Sequence, residues 1–310
     1  MKKVFIDGSV GTTGLRIVER LAGRKDLELI LLPDEARKDP AARRESLNAA
    51  DVAFLCLPDD AAREAVSLLE NPDTVLIDTS TAHRTAPGWV YGFPEIGGRR
   101  EKIRKAKRIA NPGCHASGFV ALTAPLTEAG LLPRDARLSV FSLTGYSGGG
   151  KKMIAAYEEE GRDPLFGAPR LYGLSQKHKH LPEMAAVAGL SRPPVFSPVV
   201  APYYAGMEVV VSLFREDLSA GAETLAALYQ EYYGPGTGLV SFRENADEAG
   251  FLSAGAYAGR DDMEIAVFGN EERILLVSRF DNLGKGASGA AIQNMNLVLG
   301  VEETRGLVLS

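Results

Sequence analysis

The stretch 2-KKVFIDGSVGTTGLRIVERLA-22 joins a strand-like apolar run to a helix-like pattern through a turn with three glycines. Such a turn directs backbone N–H groups and the positive end of the next helix toward a bound phosphate. Its glycines have the spacing GxxGxxG, so Val10 stands where the common dinucleotide fingerprint has glycine, and a packing role is the alternative. Because the turn opens the first strand–helix unit, we predict a dinucleotide site here.

The first hundred residues continue the same alternation of short apolar runs and helical patterns, which is typical of a parallel sheet built from βαβ units. Strands are predicted at KVFID, LELILLP, DVAFLCL, TVLIDTS and KRIANP. Helices are predicted over residues 12–22, 35–49 (with Pro40 inside), 59–70 and 97–107. This part of the chain is therefore predicted to be a Rossmann-type unit.

The pattern changes after residue 114. We predict a helix over residues 115–130, a strand at LSVFSLTG, antiparallel strands at VVVSLF, MEIAVFG and ILLVSRF, and a helix over residues 222–232. The final pattern, GASGAAIQNMNLVLG, is a helix rich in small residues that is compatible with a return to the first domain. The predicted fold class is α/β, with a dinucleotide-binding domain and a mixed α+β second domain.

Composition limits the kind of partner. The 310 residues are 45% hydrophobic and carry a net charge of −5, which argues against a nucleic acid or an anionic membrane. No apolar run approaches the roughly 18 residues of a membrane-spanning helix, and the N-terminus does not resemble a signal peptide. We expect a cytoplasmic protein with a small-molecule partner, whose two cysteines are thiols and which has no structural zinc.

The end of the second strand bears on the choice of cofactor. An acidic residue there accepts hydrogen bonds from the ribose of NAD, whereas a nearby arginine favours the extra phosphate of NADP. The sequence has Asp34 followed by Arg37 and Lys38. The first is compatible with NAD and the basic pair with NADP, so the local sequence leaves both cofactors open.

Cys114, in 109-IANPGCHASG-118, lies between a predicted strand and a predicted helix. Pro112 and Gly113 end the strand, and a thiol at a helix N-terminus experiences a positive potential that lowers its pKa. Cys56 lies inside an apolar strand, where a cysteine usually acts as a small hydrophobic residue. The pattern predicts that Cys114, and not Cys56, is a nucleophile.

A nucleophilic thiol needs a proton-transfer partner, and two of the four histidines lie in 177-KHKHLPEMAAVAG-189. Pro182 fits the first turn of a helix, which places His178 and His180 in the preceding loop with Glu183 close behind. A pair of exposed loop histidines is the alternative. A metal site is not predicted, because few other ligands lie within sequence reach.

Two further segments are candidates for binding anions. Arg84 follows the strand TVLIDTS, and the carboxyl ends of parallel strands are where such sheets bind ligands. The segment 145-GYSGGGKK-152 precedes a helix and can hold an anion through backbone N–H groups, while a flexible turn has the same composition. For Arg84, the alternative to an anion-binding role is an ordinary arginine in a surface loop.

Taken together, these segments resemble the N-acetyl-gamma-glutamyl-phosphate reductase family of arginine biosynthesis in its shorter form, within the aspartate-semialdehyde dehydrogenase-like superfamily. The resemblance rests on GSVGTTG, STAHR with YGFPE, NPGC, GYSGGGKK, HKHLPE and 281-DNLGKGASGAAIQNMNLVLG-300. It implies an NADP-binding domain over residues 1–113 and 286–310, and a catalytic and oligomerisation domain of the semialdehyde dehydrogenase type over 114–285. It also implies a homodimer or homotetramer.

The resemblance implies NADP-dependent reduction of N-acetylglutamyl 5-phosphate to the 5-semialdehyde, with phosphate release through a Cys114 thioester. It makes His178 the acid/base residue, supported by His180 and Glu183. The implied binding residues are Arg84, Ser147 and Gly148 for the substrate and Gly8, Ser9, Gly11, Thr12, Thr13 and Asn282 for the cofactor. A neighbouring acyl phosphate of the lysine or aspartate pathway is the alternative substrate, and a non-catalytic NADP-binding sensor is the alternative class.

His115 is a departure from the family, whose members commonly have tyrosine or another side chain after the cysteine. Two orientations are compatible with the sequence. A protonated His115 facing the thiol lowers the pKa of Cys114 further, whereas a side chain that points away along the helix leaves it unchanged. The segment after the second strand is short, so the family's contacts to the 2′-phosphate do not carry over residue by residue.

Overall fold

The computed structural model describes residues 1–236 and 238–309. The chain divides into two compact units. Unit 1 comprises Met1–Pro94, Gly98–Pro112 and Ala287–Leu307. Unit 2 comprises Glu95–Gly97, Gly113–Gly286 and a short segment that begins at Val308.

Unit 1 contains a six-stranded sheet whose paired strands all run parallel, in the order β2-β1-β3-β4-β6-β5. Its strands are β1 (Lys2–Asp7), β2 (Leu27–Ile30), β3 (Val52–Leu55), β4 (Val75–Asp78), β5 (Val90–Tyr91) and β6 (Arg108–Ala110). The predicted apolar runs supply five of these strands. The sixth, β5, has only two residues, which is too short to show a pattern.

The helices of unit 1 that precede Cys114 are α1 (Thr12–Leu21), α2 (Pro40–Ala49), α3 (Asp59–Ser67) and α4 (Arg99–Arg104). The prediction that the second helix begins near residue 35 is wrong, because residues 34–38 form turns. Proline is favoured at the start of a helix, where its missing N–H costs nothing. Here Pro40 is the first residue, and the Asp39 side chain accepts a hydrogen bond from the Ala41 amide at 3.1 Å.

Unit 2 contains a seven-stranded mixed sheet in the order β11-β12-β13-β10-β7-β9-β8. Its strands are β7 (Ser139–Gly145), β8 (Arg170–Leu171), β9 (Val195–Ala201), β10 (Met207–Phe214), β11 (Val240–Phe242), β12 (Met263–Gly269) and β13 (Arg273–Phe280). Its helices are α5 (Cys114–Glu128), α6 (Gly150–Glu158), α7 (Leu181–Val187) and α8 (Ala222–Tyr232). The predicted antiparallel pairing of β10, β12 and β13 is confirmed.

The sequence pattern did not reveal β9, which pairs in parallel with β7. The strand has Pro198 at its centre, and proline normally argues against a central strand because it cannot donate to the ladder. The Pro198 carbonyl accepts a hydrogen bond from the Tyr172 amide at 3.0 Å, so the missing N–H of the proline also faces the edge of the sheet, where it is tolerated. This contact ties the segment after β8 to the sheet.

The last helix, α9 (Gly289–Leu299), belongs to unit 1. Its residues Ala291, Ile292 and Met295 are fully buried in the same apolar cluster as Val4 and Ile77 of the parallel sheet. Residues Gly284–Ser288, just before it, form a π-helical turn that leads out of β13. The small-residue pattern therefore marks a helix whose whole surface is packed.

Candidate active site

Cys114 is the first residue of α5, and Gly113 is the N-cap. No side chain caps this helix end, so the thiol lies where the positive end of the helix dipole favours a thiolate. The Gly113 amide donates to Oε1 of Glu183, at 2.8 Å, and Glu183 is 1% exposed. Glu183 therefore holds the turn that carries Cys114.

Gly286 packs directly against Cys114. A Cβ atom built on Gly286 would lie 2.9 Å from the Cβ of Cys114 and 3.0 Å from the carbonyl oxygen of Asp281. Real Cβ contacts are essentially never shorter than 3.0 Å, so no side chain fits at this position without a shift. The π-helical turn therefore packs closely against Cys114 and requires glycine at position 286.

A cavity of about 250 Å³ lies in unit 2 beside the thiol. Its walls are formed by Cys114, His115, Thr144, Gly145, Gly148, Gly149, Met153, Tyr172, His178, His180 and Val200. Five of these eleven residues are glycine, methionine or valine, and the other six carry thiol, imidazole, hydroxyl or phenol groups. Four of the predicted site residues, namely the cysteine, both histidines of HKH and Gly148, are therefore brought together.

His178 and His180 lie in the loop that leads into α7, as predicted from Pro182. Their ring centroids are 4.7 Å apart in an edge-to-face arrangement. The Nδ1 atom of His178 accepts a hydrogen bond from the backbone N–H of His180 at 3.2 Å. A neutral His178 then carries its proton on Nε2, which is the atom that can exchange a proton with a ligand.

His115 adopts neither of the two predicted states. Its ring is buried, Nδ1 lies 2.7 Å from Oγ of Ser142, and Nε2 lies 2.6 Å from the hydroxyl of Tyr172. Burial, with a smaller contribution from the charge of His178, lowers the pKa of His115 to about 3. His115 is therefore a neutral member of a hydrogen-bonded chain.

Tyr172 is a residue of the cavity that the sequence did not reveal. Burial raises the pKa of its hydroxyl, and the charge of Cys114 raises it further. The phenol therefore stays protonated beside the sulfur. Its only signal in the sequence is that it lies six residues before His178, on the same connection between strand and helix.

Backbone hydrogen bonds hold the start of the glycine-rich segment 145–149 in place. The amides of Gly145, Tyr146 and Ser147 donate to carbonyl oxygens of residues 203–206. Asn282 bridges the two segments, since its Oδ1 accepts from the Gly206 amide at 3.0 Å and its Nδ2 donates to Oγ of Ser147 at 2.9 Å. Ser147 and Asn282 are each 1% exposed, so both brace the loop, whereas Gly148 faces the cavity.

In unit 1, the glycine loop between β1 and α1 fits a dinucleotide phosphate. Gly8 has φ = +86°, and a Cβ atom there would lie 2.3 Å from the carbonyl oxygen of Cys56. A Cβ atom on Gly14 would lie 2.3 Å from the carbonyl oxygen of Gly8. The N-terminus of α1, at Thr12, has no side-chain cap. Its amides and those of the partly exposed loop are thus suited to an anion.

The residues that bear on the adenosine end follow β2. β2 pairs with β1, so its carboxyl end lies next to that of the strand that leads into the glycine loop. Arg37 forms an ion pair with the exposed carboxylate of Asp34 at 2.8 Å. This arginine has a buried Nε atom without a hydrogen-bond partner. Both a ribose acceptor and a 2′-phosphate donor are thus present in one turn.

Arg84 also belongs to unit 1, and it is partly buried. Its Nε donates to the carbonyl oxygen of Asn111 at 3.0 Å, and one terminal nitrogen donates to that of Thr79 at 3.2 Å. Preceding it, His83 is fixed by a 2.6 Å contact between Nδ1 and the carboxylate of Asp78, and it stacks on Trp89. The loop STAHR is therefore rigidly held at the carboxyl end of β4.

Two observations concern other kinds of site. Over residues 1–236 and 238–309, no three His, Cys, Asp or Glu side chains are grouped closely enough to hold a metal ion. Every helix in that part of the chain is too short or too polar to cross a lipid bilayer.

Comparison with family models matches both units. Residues 3–106 match the semialdehyde dehydrogenase NAD binding domain, and residues 114–282 match the semialdehyde dehydrogenase dimerisation domain. A protein of Rhizobium meliloti (strain 1021) named N-acetyl-gamma-glutamyl-phosphate reductase is 49% identical over 305 residues, covering 96% of this chain and 98% of its own. The protein of that name from Brucella ovis is 49% identical over 306 residues, covering 96% and 99%.

Solved structures show the same fold at lower identity. The crystal structure of aspartate semialdehyde dehydrogenase II from Vibrio cholerae superposes with a TM-score of 0.71 at 18% identity, covering 97% of this chain and 99% of that one. Aspartate semialdehyde dehydrogenase from Francisella tularensis gives 0.69 at 16% identity, covering 96% and 100%. At such identities the likeness concerns the fold alone.

Proposed function

The chain belongs to the semialdehyde dehydrogenase family, in its N-acetyl-gamma-glutamyl-phosphate reductase branch, and we propose that Cys114 is the nucleophile of the reduction that this branch catalyses. The enzyme reduces N-acetyl-L-glutamyl 5-phosphate to N-acetyl-L-glutamate 5-semialdehyde in arginine biosynthesis, with NADP as cofactor. The observation that carries the assignment of the nucleophile is that Cys114, His178 and His180 line one cavity.

The first step forms a thioester. The sulfur of Cys114 attacks the acyl carbon, the bond from that carbon to the phosphate oxygen breaks, and phosphate leaves with the bonding electron pair. The helix end at α5 stabilises the thiolate before attack. Glu183 contributes by fixing the Gly113 turn, so the sulfur meets the acyl carbon in a constant position.

The second step makes and releases the aldehyde. The nicotinamide cofactor, when held by the glycine loop of unit 1, would supply the hydride that reduces the thioester carbonyl. The Nε2–H of neutral His178 would donate a hydrogen bond to the oxygen that becomes negatively charged, which stabilises the tetrahedral alkoxide on Cys114. Collapse of this alkoxide reforms the carbonyl and breaks the carbon–sulfur bond, and the sulfur leaves with the bonding electron pair, which releases the semialdehyde and restores the thiolate. His180 holds the His178 ring through its backbone N–H.

Binding roles follow from the two units. The loop with Gly8, Ser9, Gly11, Thr12 and Thr13 would hold the cofactor pyrophosphate. Arg84 would bind an anionic group of the substrate, since a guanidinium pairs well with carboxylate or phosphate. Gly148 would contact the substrate in the cavity.

The assembly is a homo-oligomer in which a second copy covers the unit 2 sheet. The part of the chain that forms this sheet matches a dimerisation domain. One face of the sheet packs on α5, and on the other face Phe141, Phe214 and Leu275 are exposed. An exposed apolar sheet face of this kind is typical of an interface between subunits. We place the oligomer, a dimer or a tetramer, in the cytoplasm.

The test is a steady-state assay of the reverse reaction with phosphate. N-acetylglutamate 5-semialdehyde and aspartate semialdehyde are compared, each with NADP and with NAD. We expect kcat/KM to be highest for N-acetylglutamate 5-semialdehyde with NADP. Preference for aspartate semialdehyde would replace the proposed substrate by its lysine- or aspartate-pathway neighbour. Cofactor binding without turnover of either aldehyde would indicate a sensor.

A further inference from the structure

Three side chains, two of which line the cavity, form a hydrogen-bonded chain that the mechanism above does not use. Ser142 on β7 contacts Nδ1 of His115 at 2.7 Å, and Nε2 of His115 contacts the Tyr172 hydroxyl at 2.6 Å. Ser142 and His115 are buried, and Tyr172 is partly buried. The chain ends at a phenol that shares the cavity with Cys114.

The neutral ring of His115 carries one proton, on either Nδ1 or Nε2. The rings of His178 and His180 lie 5.7 and 5.6 Å from it, and Phe196 lies 5.2 Å from it, so the rings packed around it carry no negative charge. A neutral imidazole has one N–H donor and one acceptor nitrogen. The hydrogen bonds therefore run in a single direction through the ring.

The two directions have opposite consequences for Cys114. If Nδ1 carries the proton, His115 donates to Ser142 and accepts the Tyr172 proton, so the phenol has no proton left for the sulfur. If Nε2 carries it, Ser142 donates to Nδ1, and Nε2–H donates to the Tyr172 oxygen. The phenolic proton is then directed away from His115.

We propose that His115 is a positioning residue which, in its Nε2-protonated neutral form, turns the Tyr172 hydroxyl proton toward the Cys114 thiolate. The phenol then stabilises the thiolate by a hydrogen bond to a charged acceptor. Tyr172 remains a neutral donor because burial and the charge of Cys114 both raise its pKa. The proposal rests on the assignment of Cys114 as the nucleophile.

The thiol itself reports on this relay without turnover. The rate of alkylation of Cys114 by iodoacetamide is measured from pH 5 to 10 for the wild type, Tyr172→Phe, His115→Phe and the double variant, with labelling located by mass spectrometry. A hydrogen bond to a charged group shifts a pKa by about one to two units. We expect each single variant to raise the thiol pKa by about that much, and the double variant to raise it no further.

Matched variants separate the relay from packing. Tyr257→Phe removes a phenol outside the cavity that donates a hydrogen bond to Glu264 at 2.9 Å. We expect this variant to leave the thiol pKa of Cys114 unchanged. His115→Gln keeps one donor and one acceptor, so we expect it to raise the thiol pKa of Cys114 less than His115→Phe does. If His115→Phe fails to fold, Ser142→Ala tests the same chain from its other end.

Three results would overturn the relay. These are an unchanged thiol pKa in Tyr172→Phe, additive shifts in the double variant, or a ¹⁵N spectrum of the resting enzyme with the His115 proton on Nδ1. Failure of the assignment of Cys114 would look different, because Cys114→Ala would then retain turnover whatever the relay variants do to alkylation.

Discussion

Cys56 and Cys114 have opposite environments, although both follow a strand of unit 1. Cys56 is directly after β3, where burial raises the pKa of its thiol to about 12 and a hydrogen bond with Thr79 lowers it only in part. Cys114 begins a helix and borders a cavity. Since only thiolates are good nucleophiles, the two thiols should differ strongly in reactivity near neutral pH.

Replacing the nucleophile separates chemistry from cofactor binding. We expect Cys114→Ala to abolish turnover while the Kd for NADPH, read from cofactor fluorescence, changes less than about threefold, because the thiol forms the intermediate and the glycine loop holds the phosphates. Cys56→Ala is the matched control and should keep activity. Residual turnover in Cys114→Ala above about 1% would contradict the thioester route.

The two histidines of HKH have different predicted roles. His178→Asn should lower kcat by about 10²–10⁴-fold, since it removes the proton donor at Nε2. His180→Asn keeps the backbone N–H that holds His178 and should have a smaller effect. Single-turnover rates with NADPH distinguish the hydride step from product release. A larger loss in His180→Asn would reverse the two roles.

Buried His115 should make the protein less stable in mild acid. Its pKa is about 3 when folded and near 6.5 when unfolded, so between these values only the unfolded chain binds the proton. The free energy of unfolding is fully retained above pH 6.5 and falls below it by up to about 1.4 kcal/mol per pH unit. From pH 7 to pH 5, urea unfolding should therefore show about 2 kcal/mol more loss in the wild type than in His115→Gln. Equal losses would contradict a neutral buried ring.

Local motifs were sufficient to predict where Cys114 and the HKH histidines lie, because a helix start and a proline-marked loop are encoded within a few residues. The chain from Ser142 through His115 to Tyr172 was not predictable. Its members are 27 and 57 residues apart, and only the sheet and the β9 contact bring them together. Burial then decides the charge of His115, which the sequence left open.

The π-helical turn Gly284–Ser288 limits the position of the nucleophile, because Gly286 packs against Cys114. Gly286→Ala introduces a Cβ atom 2.9 Å from the Cβ of Cys114, so the thiol or the turn must move. A misplacement of about 1 Å costs roughly 10²-fold in rate. We expect kcat and the alkylation rate of Cys114 to fall by at least about tenfold while affinity for NADPH is kept.

A second glycine of unit 2 provides the control. A Cβ atom on Gly167 would meet no other atom within 4 Å, and the backbone of this glycine is not left-handed. Gly167→Ala should leave kcat and alkylation unchanged. If both variants behaved like the wild type, the turn would have enough freedom to absorb the new methyl group.

Elements with a clear period were predicted well, and exceptions have identifiable causes. The helix Ala222–Tyr232 has the predicted bounds, because its amphipathic pattern is uninterrupted. The start of α2 was displaced, since Pro40 begins that helix instead of interrupting it. The strand β9 was missed because Pro198 lowers the strand propensity of this segment. The segment is nevertheless a strand, because it pairs with β7 at seven residues.

The unit 2 sheet has one packed face and one face that carries exposed apolar side chains. Along β10, Val209, Val211 and Leu213 are buried, while Phe214 is 59% exposed. On the neighbouring β7, Phe141 is 44% exposed and lies opposite Val210. Solvated antiparallel faces are usually polar, so this pattern indicates a covered surface.

A charge placed on that face should dissociate the oligomer. Phe141→Glu puts a carboxylate on this face of the sheet, where a second copy would have to desolvate it without a partner. By light scattering coupled to gel filtration, at micromolar concentration, we expect the wild type to have at least twice the mass of the chain and Phe141→Glu to have the monomer mass.

The matched control is Leu165→Glu, at a side chain that is 70% exposed and outside the sheet, which should retain the wild-type mass. An unchanged mass in Phe141→Glu would move the interface to another surface.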